Sequence, residues 1–294
     1  MRTGAKSLAG FAALALTASQ ASALTIVVDM KSAAQGNTTD SNGYSVGAFN
    51  YAGFGFNTAA QQNALDSAVL QTLKDDYFNI PTQATLPSSP IPAGFQLNIN
   101  FVLGDIGTAP GNGDPEYYYA QIGNDLTGSG LLGVAGQNQV RNAAGAHGWA
   151  GNGQTTCSIF SGTINGIGGL SPTNALTSGS LTYSQYAIAG TLAHEIGHNL
   201  SLSHISKANS LQPSGALGGT NLPPIMGTGA IDLPNIDRIG PREFSLSGFE
   251  GAAPRAQIAQ LVTAVGLRAI PEPSLLATAA FAAAGLLRRQ RRSH

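Results

Sequence analysis

The chain has 294 residues, of which 43% are hydrophobic and only 10% charged, with 38 Gly and a formal net charge of −1. Setting aside Arg2, Lys6 and the arginines at 288, 289, 291 and 292 leaves eight basic against 15 acidic residues over 24–287, a formal −7. That balance argues against nucleic acid or an anionic membrane surface as a partner. The single Cys157 excludes an intramolecular disulfide and reads as a buried, inert thiol.

Residues 1–23 read as a secretory signal: Arg2 and Lys6, an apolar run from Leu8 to Leu16, then Ala21-Ser22-Ala23 as a cleavage site. A mature chain then begins at or near Leu24, and the 24–268 stretch is long enough for one domain with a full core. Within it, Thr25–Asp29 is expected to be a buried strand and Thr58–Phe78 a long helix with Leu65, Val69 and Leu73 on its apolar face. Phe95–Leu103 alternates as a strand between Gly/Pro-rich loops at 80–94 and 104–115. Asp105, Asp114 and Glu116 read as solvated turn carboxylates, since no calcium-loop pattern surrounds them. The Tyr117-Tyr118-Tyr119 run is expected on an edge strand or a cleft wall, and His147 in a surface loop rather than at a second metal.

Further along, Cys157–Ile164 reads as another strand. Thr182-Tyr183-Ser184-Gln185 fits a capping box opening a helix over 183–199, with Ile188, Leu192, Ile196 and Leu200 as its buried stripe. Ala253–Val265 is expected to be a terminal helix. The chain ends in Pro271-Glu272-Pro273, an apolar segment from Ser274 to Leu287, and the arginine cluster. Arginines after an apolar segment hold that end in the cytoplasm and leave the preceding domain outside, an inner-membrane anchor, processed or not, shorter than the ~20 residues of a comfortable span.

Three of the five histidines fall inside His194-Glu195-Ile196-Gly197-His198-Asn199-Leu200-Ser201-Leu202-Ser203-His204. Residues four apart share one helix face, so His194 and His198 aim at one point with the Glu195 carboxylate beside them. Composition alone would give HExxH here about one time in a thousand. Metal ligation by these histidines, with Glu195 acting on water at the metal, is the chemistry this spacing serves. On a continuous helix His204 would point away, so it joins only if the helix stops soon after His198 and the chain turns back. Asn199 and Ser201 are the residues suited to that stop.

This pattern resembles the metzincin zinc metalloendopeptidases, whose signature is HExxHxxGxxH followed by a methionine turn. His194, Glu195, His198 and His204 match it, while Ser201 stands where the family has Gly. The resemblance implies zinc on His194, His198 and His204, Glu195 as general base, and Met226 of Pro224-Ile225-Met226-Gly227-Thr228 as an apolar floor. Thr228 replaces the Tyr that some members carry. The implied fold is α+β: a two-subdomain protease with a mixed sheet, a long backing helix and the active-site helix (upper subdomain about 24–200). A small irregular C-terminal subdomain (about 201–268) with a terminal helix completes it. Glu243 or Glu250 as the third ligand, the thermolysin-like arrangement, is made unnecessary by His204.

The C-terminal end is similar to PEP-CTERM sorting tails (269–294, transmembrane segment 274–287). That likeness implies processing by signal peptidase and an exosortase-like enzyme in a Gram-negative bacterium, with a resting place at the cell surface or extracellular matrix. The combined expectation is an exported monomer, a zinc endopeptidase that takes protein or peptide substrates, extended along an edge strand. The rivals are a non-catalytic, zinc-stabilised matrix protein and a hydrolase of non-protein amides.

Overall fold

The computed structural model describes residues 23–40, 42–105, 117–135, 157–166, 179–206, 222–228, 233–246, 248–250 and 253–270. The expected signal segment, His147, Asp114, Glu116 and the C-terminal tail lie outside them. Among the described residues no helix is long and apolar enough to cross a membrane.

The architecture is α+β with a mixed sheet. Strand β1 (Leu24–Met30) is flanked in parallel by β5 (Ile99–Leu103) and β6 (Tyr117–Asp125). Being buried on both faces, β1 reads as the near-continuous apolar run Ile26-Val27-Val28, as parallel strands do. Beyond β6 lies β8 (Cys157–Phe160), parallel to it, and β7 (Gly133–Ala135) pairs antiparallel with β8. The short β2 (Thr38–Thr39) and β3 (Ser45–Gly47) continue from the far end of β6.

Helix α1 (Ala59–Phe78) backs this sheet. Thr58 caps it, with Thr58 Oγ1 accepting from the Gln61 N–H and Gln61 reaching back, a capping box. Its buried residues Leu65, Val69, Thr72, Leu73 and Tyr77 meet helix α3 (Leu181–Asn199) as well as the sheet. Two tyrosines tie α3 in place. The Tyr77 hydroxyl donates to the Ala193 carbonyl at 3.0 Å, and the Tyr118 hydroxyl donates to the Asn199 carbonyl at 3.4 Å.

Five expectations are corrected. Phe95–Leu103 is two strands: β4 (Phe95–Leu97) pairs with β11 (Leu267–Ala269), and β5 joins the main sheet. The switch falls at Asn98, whose carbonyl accepts from Leu24 while its N–H donates to Gly266. Cys157–Ile164 is a strand only to Phe160 and then a short helix, α2 (Ser161–Asn165); a fully buried run carries no period to separate the two.

Helix α3 starts two residues earlier than its apparent capping box, behind Ser180 in extended backbone, with no side-chain cap. The tyrosine run opens a central strand and not an edge, with Tyr118 in the main core and Tyr119 packed on the opposite face near Val27. The terminal helix is only α4 (Gln257–Val265). Pro254 lies in β10 (Ala253–Arg255), paired with β9 (Gly248–Glu250), and Ala256 is non-helical.

Candidate metal centre

The end of α3 builds the site. The helix stops at Asn199, and Ser201 is the one non-glycine among the described residues with positive φ, at 66°. The Leu202 N–H donates to the Gly197 carbonyl at 2.9 Å and the Ser201 N–H to the His198 carbonyl at 2.9 Å. These two bonds define a Schellman ending with serine at the left-handed position that glycine usually fills. Both stop residues suggested by the sequence therefore act, Asn199 as the last helical residue and Ser201 as the reversal. Leu202 folds back onto Gly197, and the chain then carries His204 alongside the helix it has just left.

The three imidazoles meet there. His198 Nε2 lies 3.1 Å from His194 Nε2 and 3.1 Å from His204 Nε2. Two of the opposite ring nitrogens are fixed by backbone: His194 Nδ1 is 2.8 Å from the Ile225 carbonyl, and His198 Nδ1 is 2.8 Å from the Leu202 carbonyl. A carbonyl only accepts, so each Nδ1 carries the proton and each Nε2 presents a lone pair. Burial, and the repulsion that a proton on the neighbouring His198 ring would add, hold the His194 imidazole well below the usual histidine range, so it stays neutral.

Lone pairs converging at this distance repel unless a cation lies between them. Nitrogens sharing a tetrahedral ion at 2.0–2.1 Å stand roughly 3.3 Å apart, so the donor set fits zinc. Among the described residues this is the one His/Cys/Asp/Glu group arranged to hold a metal.

The triad opens on a cleft of about 580 Å3, lined by the Gly130–Ala135 segment together with Thr191, Glu195, Thr228, Arg238 and Arg242. Glu195 is 7% exposed, and burial pushes its carboxyl up to about 8. A cation at the histidines would draw it back toward the charged form. Gly133 of β7 leaves room for it, since a Cβ there would fall 2.7 Å from Glu195 Cγ. Met226 is fully buried beneath the motif helix, where a Cβ on Gly197 would fall 2.5 Å from its Sδ. The Ile205 N–H donates to the Met226 carbonyl at 3.1 Å, which ties the residue after His204 to this segment.

Glu243 does not join the histidines. It lines a second cleft with Asp75, Asp76 and Arg242, the last of which also borders the histidine cleft, while the Glu250 side chain lies outside the described residues. Sequence reasoning missed three contributors. Gln257 is fully buried; its Nε2 donates to the Ser203 carbonyl at 3.2 Å and its Oε1 accepts from the Ser245 N–H at 3.2 Å, bracing the segment that bears His204. Gly133 and Arg242 are the others. A glutamine in a helix's first turn and a glycine in an edge strand carry no local mark of what the fold sets against them.

No protein-family model matches the sequence, and no curated protein matches it. Among solved structures the chain is similar to Tannerella forsythia mature mirolysin in complex with a cleaved peptide. The identity is 15%, with 82% of this chain and 91% of that chain covered, at a TM-score of 0.34. Overlap at that level carries no conclusion about activity.

Proposed function

We propose that this chain is an exported zinc-dependent endopeptidase. The observation that carries the reading is the convergence of three Nε2 atoms on one point of an open cleft, with Glu195 in the same cleft wall. His194, His198 and His204 would hold the ion. When bound, zinc supplies a Lewis acid that polarises a scissile carbonyl and brings the pKa of water in its open position toward 7. Glu195 takes the proton of the attacking water and passes it to the leaving amine; its buried setting raises its proton affinity toward the range a general base needs.

The Ile225 and Leu202 carbonyls keep the His194 and His198 rings turned with Nε2 toward the cleft. Strand β7 pairs only with β8 among the described residues, so its other edge offers a ladder to an extended peptide. A purely structural zinc site closes its fourth position and gains nothing from a base, which separates this arrangement from the matrix-protein reading.

The test is zinc content and hydrolysis of an unfolded protein, measured together. Wild type should bind one zinc and cleave. Glu195→Ala should keep zinc and lose activity by several orders of magnitude, whereas His198→Ala should lose both. A zinc-free but fully active His198→Ala protein would overturn the scheme. Export and tail removal rest on the terminal sequences alone; a secreted form beginning near Leu24 and lacking the 274–287 run, read by mass spectrometry, would support them.

A further inference from the structure

Arg242 is a charge in the cleft that the proposed hydrolysis leaves unused. A parallel bridge between Pro224 and Glu243 sets its backbone: the Ile225 N–H donates to the Glu243 carbonyl at 3.0 Å, and the Glu243 N–H donates to the Pro223 carbonyl at 3.2 Å. Arg242 thus leaves the chain beside the segment carrying Met226. Its guanidinium lies over Gly190, where any Cβ would overlap it. Gly190 precedes His194 by one helical turn on the same face, so the cation lies one turn from the histidine cluster. Its charge reaches His194.

The side chain is 5% exposed, and among the described residues neither Nε nor Nη2 has a hydrogen-bond partner. Arg238, half-buried, lines the same cleft and adds a second positive charge. The carboxylates whose charge reaches Arg242 are Asp76 and Asp237; burial pushes the Asp76 carboxyl up, to about 8, and neither carboxylate accepts a hydrogen bond from Nε or Nη2. A buried guanidinium with two unused donors is costly unless an anion completes it. Its planar fork matches a carboxylate in two places at once.

We propose that Arg242, with Arg238 beside it, forms a carboxylate-binding subsite of the cleft, so that preferred substrates carry a carboxylate close to the scissile bond. The inference rests on the cleft being a peptide site. An acidic side chain and a free C-terminus offer the same chemistry, and the second would make the protein release short C-terminal pieces.

The experiment uses peptide pairs that differ only by Glu against Gln with amidated ends, or only by a free against an amidated end. Affinity is measured by titration calorimetry on the zinc-loaded Glu195→Ala chain, with Arg242 intact or changed to Gln, and cleavage is measured on the otherwise wild-type chain. The acid member of one pair should bind about tenfold or more tightly than its amide. Selectivity in the first pair identifies a side chain, and in the second a terminus. Arg242→Gln should bring the paired affinities within about twofold. Thermal melts accompany each variant; should Arg242→Gln not fold, Gly190→Ala, which displaces the guanidinium, takes its place and should weaken the same preference.

Equal binding of acid and amide in both pairs, no binding of any peptide, or a preference unchanged by the variants overturns the subsite. Selective binding without any hydrolysis by the Glu195 chain sinks the peptidase reading and leaves the subsite standing.

Discussion

Ser201 shows how one residue sets the reach of the site. Its left-handed backbone costs a non-glycine residue on the order of 1 kcal/mol, and its Oγ is buried without a hydrogen-bond partner among the described residues. Ser201→Gly should therefore stabilise the protein by about 1 kcal/mol, a rise in Tm of roughly 2–4 °C for a domain of this size, with zinc affinity unchanged. A fall in Tm would mean that the hydroxyl has a use the hydrogen bonds do not reveal. Serine is tolerated here because the two Schellman bonds and the return of Leu202 onto Gly197 already determine the turn.

At the scale of elements, α3 holds three of the candidate site residues and two glycines that other elements require. Gly197 admits the Met226 sulfur and Gly190 admits the Arg242 guanidinium, although each glycine costs a helix interior about 1 kcal/mol relative to Ala. Gly197→Ala should destabilise by about 1–3 kcal/mol through overpacking, more than its helix propensity returns. In a double-mutant cycle, Met226→Ala should absorb part of that loss, giving a coupling of about 0.5–3 kcal/mol by denaturant unfolding. Strict additivity would mean the methionine does not bear on that helix face.

The sequence made the His pair legible because four-residue spacing is a property of the helix itself. His204 was legible only conditionally, since its position depends on the backbone at Ser201. Arg242 and Gln257 were invisible, because what makes each of them matter is a carbonyl, a glycine or an empty cleft brought up by a distant element. The same limit explains the strand errors. Phe95–Leu103 alternates correctly, but the exchange of partners at Asn98 is decided by Leu24 and Gly266.

For the whole molecule, the buried charge between α1 and the 242–243 segment sets a pH dependence. Burial pushes the Asp76 carboxyl up from the ordinary aspartate range to about 8. A raised folded pKa means the native state holds the proton longer, so this group's contribution is complete below the unfolded pKa and is lost as pH climbs to the folded one. Arg242, lowered by burial to about 10, titrates above that window. Stability should thus decline between about pH 4 and 8 by up to about 1.4 kcal/mol per unit from Asp76, and Asp76→Asn should flatten the curve. Denaturant midpoints of both proteins in parallel, zinc-loaded, at pH 5, 6.5 and 8 would check this; an unchanged slope in the variant would refute it.

The sheet and the histidine cluster also differ in how far along the chain their parts are gathered. Strand β1 must find Tyr117 about ninety residues on, whereas the carbonyls that orient the His194 and His198 rings, at Ile225 and Leu202, lie only 31 and 4 residues from them. The slow event in folding is then the long-range strand search, as it is in sheets dominated by distant pairings. Zinc captured by the short segment should leave the refolding rate nearly unchanged while slowing unfolding, because its ligands are held together only after the sheet has set α3 in place. On the proposed reading of an exported zinc hydrolase, that order would make persistence outside the cell a matter of how long the metal keeps the native state closed.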